Sequence, residues 1–365
     1  MRTYRIAVPN NDGPAQRVNL RRGTYLMATR AVVWAIGVTT AVLLVALSAD
    51  AAQKEKDAAP VKVDVRRPEY KGTTGVSGKI KSIGSDTMNN EMTLWAEGFA
   101  KFYPNVQAAI EGKGSTTAPP ALLEGTAQFG PMSREMNGKE IDDFKKRFGY
   151  APTALPSSID MLAVYVHKDN PIKGLTFQQM DAIFSKTRKG GYKTNVKTWG
   201  DLGLDGEWKD KPIALYGRNA ASGTYDFFKE HVLGNGDYKD EVKEQTGSSK
   251  VVQGVAGDKY GIGYSGIGYK TADVRVVPLA KGAGSDFVPA EPDKAHAGEY
   301  PLARTLFVYV NYKPGAELDP LRREFIRYIY SKQGQADVLK AGYLPIGEVQ
   351  AKKGLMSVGL EPGEK

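Results

Sequence analysis

Residues 110–135, IEGKGSTTAPPALLEGTAQFGPMSRE, gather small hydroxyl residues, glycines and prolines where a folded domain ordinarily places helix or strand formers. Ser115 and Thr116 stand before APPALLEG, in which the prolines suit the first turn of a helix and Gly125 its end. Ser133, in GPMSR, precedes REMNGKEIDDFKKRFG, with Ile141, Phe144 and Phe148 on one helical face. Two hydroxyl-lined turns, each ahead of a helix, are therefore predicted in succession.

The same layout recurs on either side. KIKSIGS (79–85) reads as a short first strand, after which Met88, Met92, Trp95, Phe99 and Phe102 fall on one face of an amphipathic helix. That helix should start at Ser85 to Thr87, whose small polar side chains can cap it, and end at Pro104. PIALYGR (212–218) reads as a strand, followed by NAASGTYDFFKEHVLG with Ser222, Gly223 and Thr224 at its opening. Further strands are expected at MLAVYVH (161–167), VRVVPLA (274–280) and LFVYVN (306–311), and a late helix at PLRREFIRYIYSKQGQADVLKAG. Strands alternating with helices imply an α/β fold with largely parallel sheets covered by helices.

Composition sets the bounds. The chain has 365 residues, 41% apolar and 25% charged, a length that suggests two domains. It has no cysteine, which excludes disulfides, thiolate metal sites and cysteine nucleophiles. His167, His231 and His296 are too far apart for a zinc helix, so neither metal nor cofactor is expected. Residues 31–47, AVVWAIGVTTAVLLVAL, follow Arg30 and precede SADAAQ, the order of a secretory signal with Ala49 and Ala51 at a cleavage site. A membrane anchor is the alternative reading of the run. The signal peptide is assigned to residues 1–51, with Met27 as an alternative start, and residues 52–78 read as a flexible linker. Removing residues 1–51 takes away six Arg and two Asp and lowers the net charge from +9 to +5. That charge is scattered among carboxylates rather than gathered in a stripe, so no nucleic-acid partner is expected.

The helix starts carry the chemistry. A helix amino terminus presents unpaired N–H groups and about half a positive charge, so it attracts anions. Four such turns could converge on one small oxyanion: IGSDTM with Ser85, Asp86, Thr87 and Met88, GKGSTT with Ser115 and Thr116, GPMSR with Ser133, and RNAASGT with Ser222, Gly223 and Thr224. Arg218, four residues before Ser222, adds a fixed charge whose fork suits two oxygens. Taken singly, each Ser or Thr reads equally as an ordinary helix cap. Other motifs fall away: GIGYSG (261–266) lacks the following helix of a dinucleotide site, and Asp142 with Asp143 lies among lysines on a solvated face.

IGSDTMNNEMTLWAEGF, IEGKGSTTAPPALLEGTAQFGPMSR, GRNAASGTYDFF and YGIGYSGIGY, in this order, resemble the periplasmic phosphate-binding proteins of ABC-type uptake systems, from about Lys79 to Pro345. The resemblance implies a two-lobed periplasmic-binding-protein fold of type II, each lobe a mixed sheet flanked by helices, with the ligand between them. It implies one lobe from residues 79–165 plus 300–350 and another from 166–299. Thr87 with the Met88 N–H, Ser115, Arg218, Ser222, Gly223 and Thr224 match the family's ligand contacts. Two positions depart: Ser133 stands where many members carry a carboxylate, and Ala220 where an acidic partner often follows the Arg. Asp86 could supply the missing acceptor or serve only as a helix-start charge. The implied function is capture of inorganic phosphate by a monomeric, non-enzymatic periplasmic protein that hands it to a membrane permease. The alternatives are a phosphatase on the same fold, or a binder of sulfate, molybdate or another oxyanion.

Overall fold

The computed structural model describes residues 61–362. The signal peptide and residues 52–60 of the spacer lie outside them. Among the described residues no helix is long and apolar enough to cross a membrane.

The first strand, β1 (Lys79–Gly84), alternates as its sequence requires, with Ile80, Ser82 and Gly84 buried. It pairs in parallel with β2 (Gln107–Gly112). Between them runs α1 (Asn89–Ala100), which buries Met92, Trp95 and Phe99 on the face expected from their spacing. Then follow α2 (Ala118–Leu123), β3 (Gly130–Met132) and α3 (Gly138–Phe148). β4 (Thr153–His167), fifteen residues long, is the central strand of an eight-stranded sheet ordered β3-β11-β4-β8-β6-β7. Its other members are β6 (Ala214–Arg218), β7 (Lys243–Gln245), β8 (Gly261–Gly266) and β11 (Ala303–Val310). β9 (Val274–Val276) and β12 (Leu344–Pro345) pair with β4 beside this path.

The sheet is less parallel than expected. β4 meets β8, β9, β11 and β12 antiparallel, while β6 meets β7 and β8 parallel. β4 runs from one apolar core into another: Leu155 belongs to a cluster with Trp95, Phe99, Phe129 and Phe325, and Leu162 and Val164 to one with Phe184, Trp199, Phe228 and Tyr264. A chain that crosses between two cores must come back, and β11 returns antiparallel along β4 to do so.

Several local expectations are corrected. α1 starts at Asn89 without a side-chain cap, because Ser85 and Thr87 turn their hydroxyls elsewhere. Ser133 is not at a helix start: α3 begins five residues later, where Asn137 and Glu140 form a reciprocal capping box. The late helix is two, α8 (Pro320–Tyr330) and α9 (Lys332–Lys340), because Ser331 takes an extended ψ and its hydroxyl accepts from the Gly334 N–H. Within the segment expected as spacer, two residues anchor on the domain although most of residues 61–78 are exposed. Tyr70 is buried against Phe102 and Tyr328, and Arg67 donates to the carbonyls of Tyr330 and Ile346. Among the remaining elements, β5 (Leu175–Thr176) leads into α4 (Phe177–Phe184) and pairs in parallel with β10 (Leu279–Ala280), α5 (Gly223–His231) follows β6, α6 (Ser248–Ala256) follows β7, α7 (Pro292–His296) precedes β11, and α10 (Glu348–Met356) comes last.

Candidate functional site

Ser85, Thr87, Ser115, Ser133, Ser222 and Thr224 are each 2% exposed or less, although they come from four separate stretches. Five of their hydroxyls meet in two hydrogen-bonded sets. Ser85 Oγ donates to Ser133 Oγ over 3.0 Å, and Ser115 Oγ lies 3.2 Å from Ser133 Oγ while accepting the Ser133 N–H at 3.1 Å. Thr87 Oγ1 stands 2.8 Å from Thr224 Oγ1. Ser222 caps α5 by accepting the Thr224 N–H at 3.1 Å, as the sequence indicated.

Two glycines make this approach feasible. A Cβ on Gly223 would stand 2.5 Å from Ser115 Oγ and 2.8 Å from Ser133 Oγ. Gly114 has φ +108°, and a Cβ there would stand 2.3 Å from the Ala221 carbonyl oxygen. The start of α5 and the Ser115 turn therefore meet backbone to backbone. Thr116 serves that contact rather than the hydroxyl cluster, since its N–H and Oγ1 both donate to the Ala221 carbonyl at 3.2 Å. The Met88 N–H, matched by resemblance to a ligand contact, donates here to the Ser85 carbonyl at 3.2 Å.

Arg218, at the end of β6, is 1% exposed. Its Nη1 donates to Ser248 Oγ at 2.6 Å, its Nη2 lies 3.2 Å from Asp86 Oδ1, and its buried Nε has no hydrogen-bond partner. Burial pulls the guanidinium below its ordinary value, with Asp86 opposing that shift. Asp86 Oδ1 also accepts the Ser248 N–H at 2.6 Å, at the start of α6. The carboxylate is thus the counter-ion of Arg218 and a cap for a helix other than its own. Tyr269 and Tyr343 hold the Ser85–Thr87 turn from behind, donating to the carbonyls of Asp86 at 2.7 Å and Thr87 at 2.6 Å.

A second buried pair was not foreseen. Arg304 on β11 donates from Nε and Nη2 to Asp160 Oδ2 on β4, at 3.1 and 2.8 Å. Its Nη1 reaches the Ser133 carbonyl at 2.9 Å and its Nη2 the Thr224 hydroxyl at 2.8 Å. The signal in the sequence was a charge inside each of two apolar strands, SSIDMLAVYVH and ARTLFVYV, which burial tolerates only when paired. Nothing local could match the two across 144 residues. Arg134 was passed over as well; it bridges Glu140 of α3 and Asp226 of α5 at 2.8 and 2.7 Å.

Two cations matched by two carboxylates leave the cluster close to neutral, so what it presents is mainly hydroxyls, amides and guanidinium N–H groups. Such groups suit an oxyanion, which offers only acceptors apart from any proton it retains.

A mixed sheet shared between two apolar cores, with converging hydroxyls carried by the loops of both, defines a two-lobed substrate-binding protein. The PBP superfamily domain matches residues 69–333. The phosphate-binding protein PstS of Pseudomonas aeruginosa PAO1 is 52% identical over 318 residues, covering 87% of this chain and 98% of its own length. PstS of Staphylococcus haemolyticus is 30% identical over 273 residues, 74% of this chain and 81% of its own. The chain belongs to the PBP superfamily and, within it, to the family of the PstS proteins. Among solved structures, a candidate phosphate ABC transporter substrate-binding protein from Clostridium perfringens, with bound phosphate, aligns at TM-score 0.63 and 25% identity, covering 74% of this chain and all of the other. An ABC-type phosphate transport receptor from Vibrio cholerae shares the fold at TM-score 0.56 and 23% identity, over 73% of this chain and all of its own.

Proposed function

We propose that this chain is a periplasmic substrate-binding protein that captures inorganic phosphate and delivers it to the membrane permease of an ABC transporter. It is a binding protein, not an enzyme, in keeping with relatives named for phosphate binding and transport. The observation that carries the reading is the gathering of six buried hydroxyls from four separate stretches, five of them linked as Ser85–Ser133–Ser115 and Thr87–Thr224, with Arg218 tied to the Ser85–Thr87 turn through Asp86. A desolvated tetrahedral anion needs nearly every oxygen hydrogen-bonded, since an unmet buried group costs about 1–3 kcal/mol. Thr87, Ser115, Ser133, Ser222 and Thr224, with Ser85 behind Ser133, supply hydroxyls; Gly223 supplies an amide, and Arg218 the charged donor.

The proposed lobes are residues 79–165 with 300–350, and residues 166–299. The composition of the apolar clusters supports that division in part, with Leu306, Phe325 and Tyr343 joining Trp95 and Phe129 in one and Trp199, Phe228 and Tyr264 in the other, although Leu162, Val164, Leu302 and Leu344 join the second cluster from segments of the first lobe. Phosphate drawing Thr87 and Ser115 toward Arg218 and Ser222 would favour the closed arrangement. Calorimetric titration with phosphate, arsenate, sulfate and molybdate, beside a phosphate-ester hydrolysis assay, tests the reading. Tight phosphate binding with no hydrolysis is the expected result; preference for sulfate or molybdate, or turnover of the ester, would replace it.

A further inference from the structure

The Arg304–Asp160 pair lies against the hydroxyl cluster but belongs to none of the four turns that build it. Its guanidinium is 3% exposed and satisfies three partners at once: Asp160, the Ser133 carbonyl and Thr224 Oγ1. Asp160 is itself fixed, its Oδ1 accepting the Ile267 N–H at 3.1 Å. Phe227 of α5 covers the guanidinium face, with the ring centre 5.1 Å away. A lysine could not make this fork.

A hydroxyl has one proton and two lone pairs. Arg304 Nη2 occupies one lone pair of Thr224, and a guanidinium cannot accept in return. The Thr224 proton must therefore point elsewhere; the other polar atom hydrogen-bonded to that oxygen is Thr87 Oγ1, at 2.8 Å, and either hydroxyl can be the donor in that bond. An anion oxygen that takes the place of Thr87 in that bond meets Thr224 with one lone pair already filled by Arg304, so that its proton is left free to donate. We propose that Arg304, held by Asp160, is a positioning residue for oxyanion capture: it fixes Thr224 as a donor and, through the Ser133 carbonyl, holds the Ser133 segment and the start of α5 to one strand. The pair adds orientation without net charge. It rests on the phosphate reading above, and its role goes beyond the contacts that the family resemblance assigned.

The test is a double-mutant cycle on phosphate affinity. Removing Arg304 alone would leave Asp160 buried and unpaired, whereas replacing both partners of a buried pair by neutral groups is commonly tolerated. The four proteins are therefore wild type, Thr224→Val, Asp160→Asn/Arg304→Met, and the triple variant. Each partial variant should weaken phosphate binding by roughly tenfold or more, and the triple variant should be no weaker than the poorer of the two. Losses that multiply in the triple variant would show that Arg304 does not act through Thr224 and would overturn the proposal. Arg304→Lys, which keeps the charge and loses the fork, should bind phosphate as poorly as the neutral pair variant; full affinity in it would equally overturn the role. The wild-type arm separates the two readings, because wild type that binds no phosphate ends the functional reading and this one together, while tight wild-type binding with independent losses ends this one alone.

Discussion

Arg218 and Asp86 form a buried ion pair beside the proposed phosphate site, so substitutions there test stability and recognition together. Arg218→Ala removes a charged donor and leaves Asp86 facing Ser248 alone, so phosphate affinity should fall by roughly 10- to 100-fold in calorimetric titration. Arg218→Lys should recover little of it, since the fork is lost. Asp86→Asn should lower the melting temperature of the phosphate-free protein, because a guanidinium 1% exposed loses its carboxylate. Phosphate should then restore more of that stability than in wild type, and the ratio of phosphate to sulfate affinity should stay unchanged; a fall in the ratio would return Asp86 to the role of proton acceptor. Glu91, in the first turn of α1, makes a separate case. It is fully buried with neither carboxylate oxygen hydrogen-bonded, and burial pushes it up to about 8, with the nearby Ser158 hydroxyl opposing and Asp160 assisting. Because its folded value is raised, its proton favours the folded state completely below about 4.5, and that contribution is lost as pH climbs through about 8. Melting curves from pH 5 to 9 should show wild-type stability falling toward the alkaline end and Glu91→Gln much less affected; parallel curves would remove Glu91 as the cause.

At the scale of elements, the start of α5 is the part that must fit most closely. Gly223 is its first residue, and a methyl group there would press on Ser115 and Ser133. Gly223→Ala should weaken phosphate binding by roughly tenfold to a hundredfold through that overpacking. The melting temperature of the ligand-free protein should fall as well, because overpacking of about 1–3 kcal/mol outweighs the gain of about 1 kcal/mol from the better helix former. Loss of stability with unchanged affinity would contradict this account. The elements themselves were unevenly legible. The face of α1 and the cap of α5 followed from spacing and residue type, which act within a few positions. The start of α3 was misplaced because Asn137 and Glu140 cap each other in a box that outcompetes Ser133.

For the whole molecule, Arg134 is the contact that joins a helix of one proposed lobe to a helix of the other. It is only 12% exposed and holds Glu140 on α3 and Asp226 on α5 together. If phosphate closes the lobes, small-angle scattering should report a smaller radius of gyration at saturating phosphate, and an unchanged curve would exclude closure. Arg134→Met should speed phosphate release in stopped-flow measurements by roughly tenfold while leaving the association rate nearly unchanged, since it loosens the closed state without touching the anion. A slower association with unaltered release would place Arg134 in steering instead.

The sequence by itself determined the alternation of strands and helices, the hydroxyl-rich turns, and the placing of Arg218 four residues ahead of a Ser-Gly-Thr helix start, because each is written in spacing or residue type over a few neighbouring positions. Tertiary structure alone decided that β11 returns antiparallel to β4, that Asp86 answers Arg218 across 132 positions, and that Arg304 meets both Asp160 and Thr224. Those facts depend on which distant segments share a buried space. Charge and hydroxyl groups state that they need a partner, since burial without one is costly, but the identity of the partner is set only when the two cores close around the crossing strand.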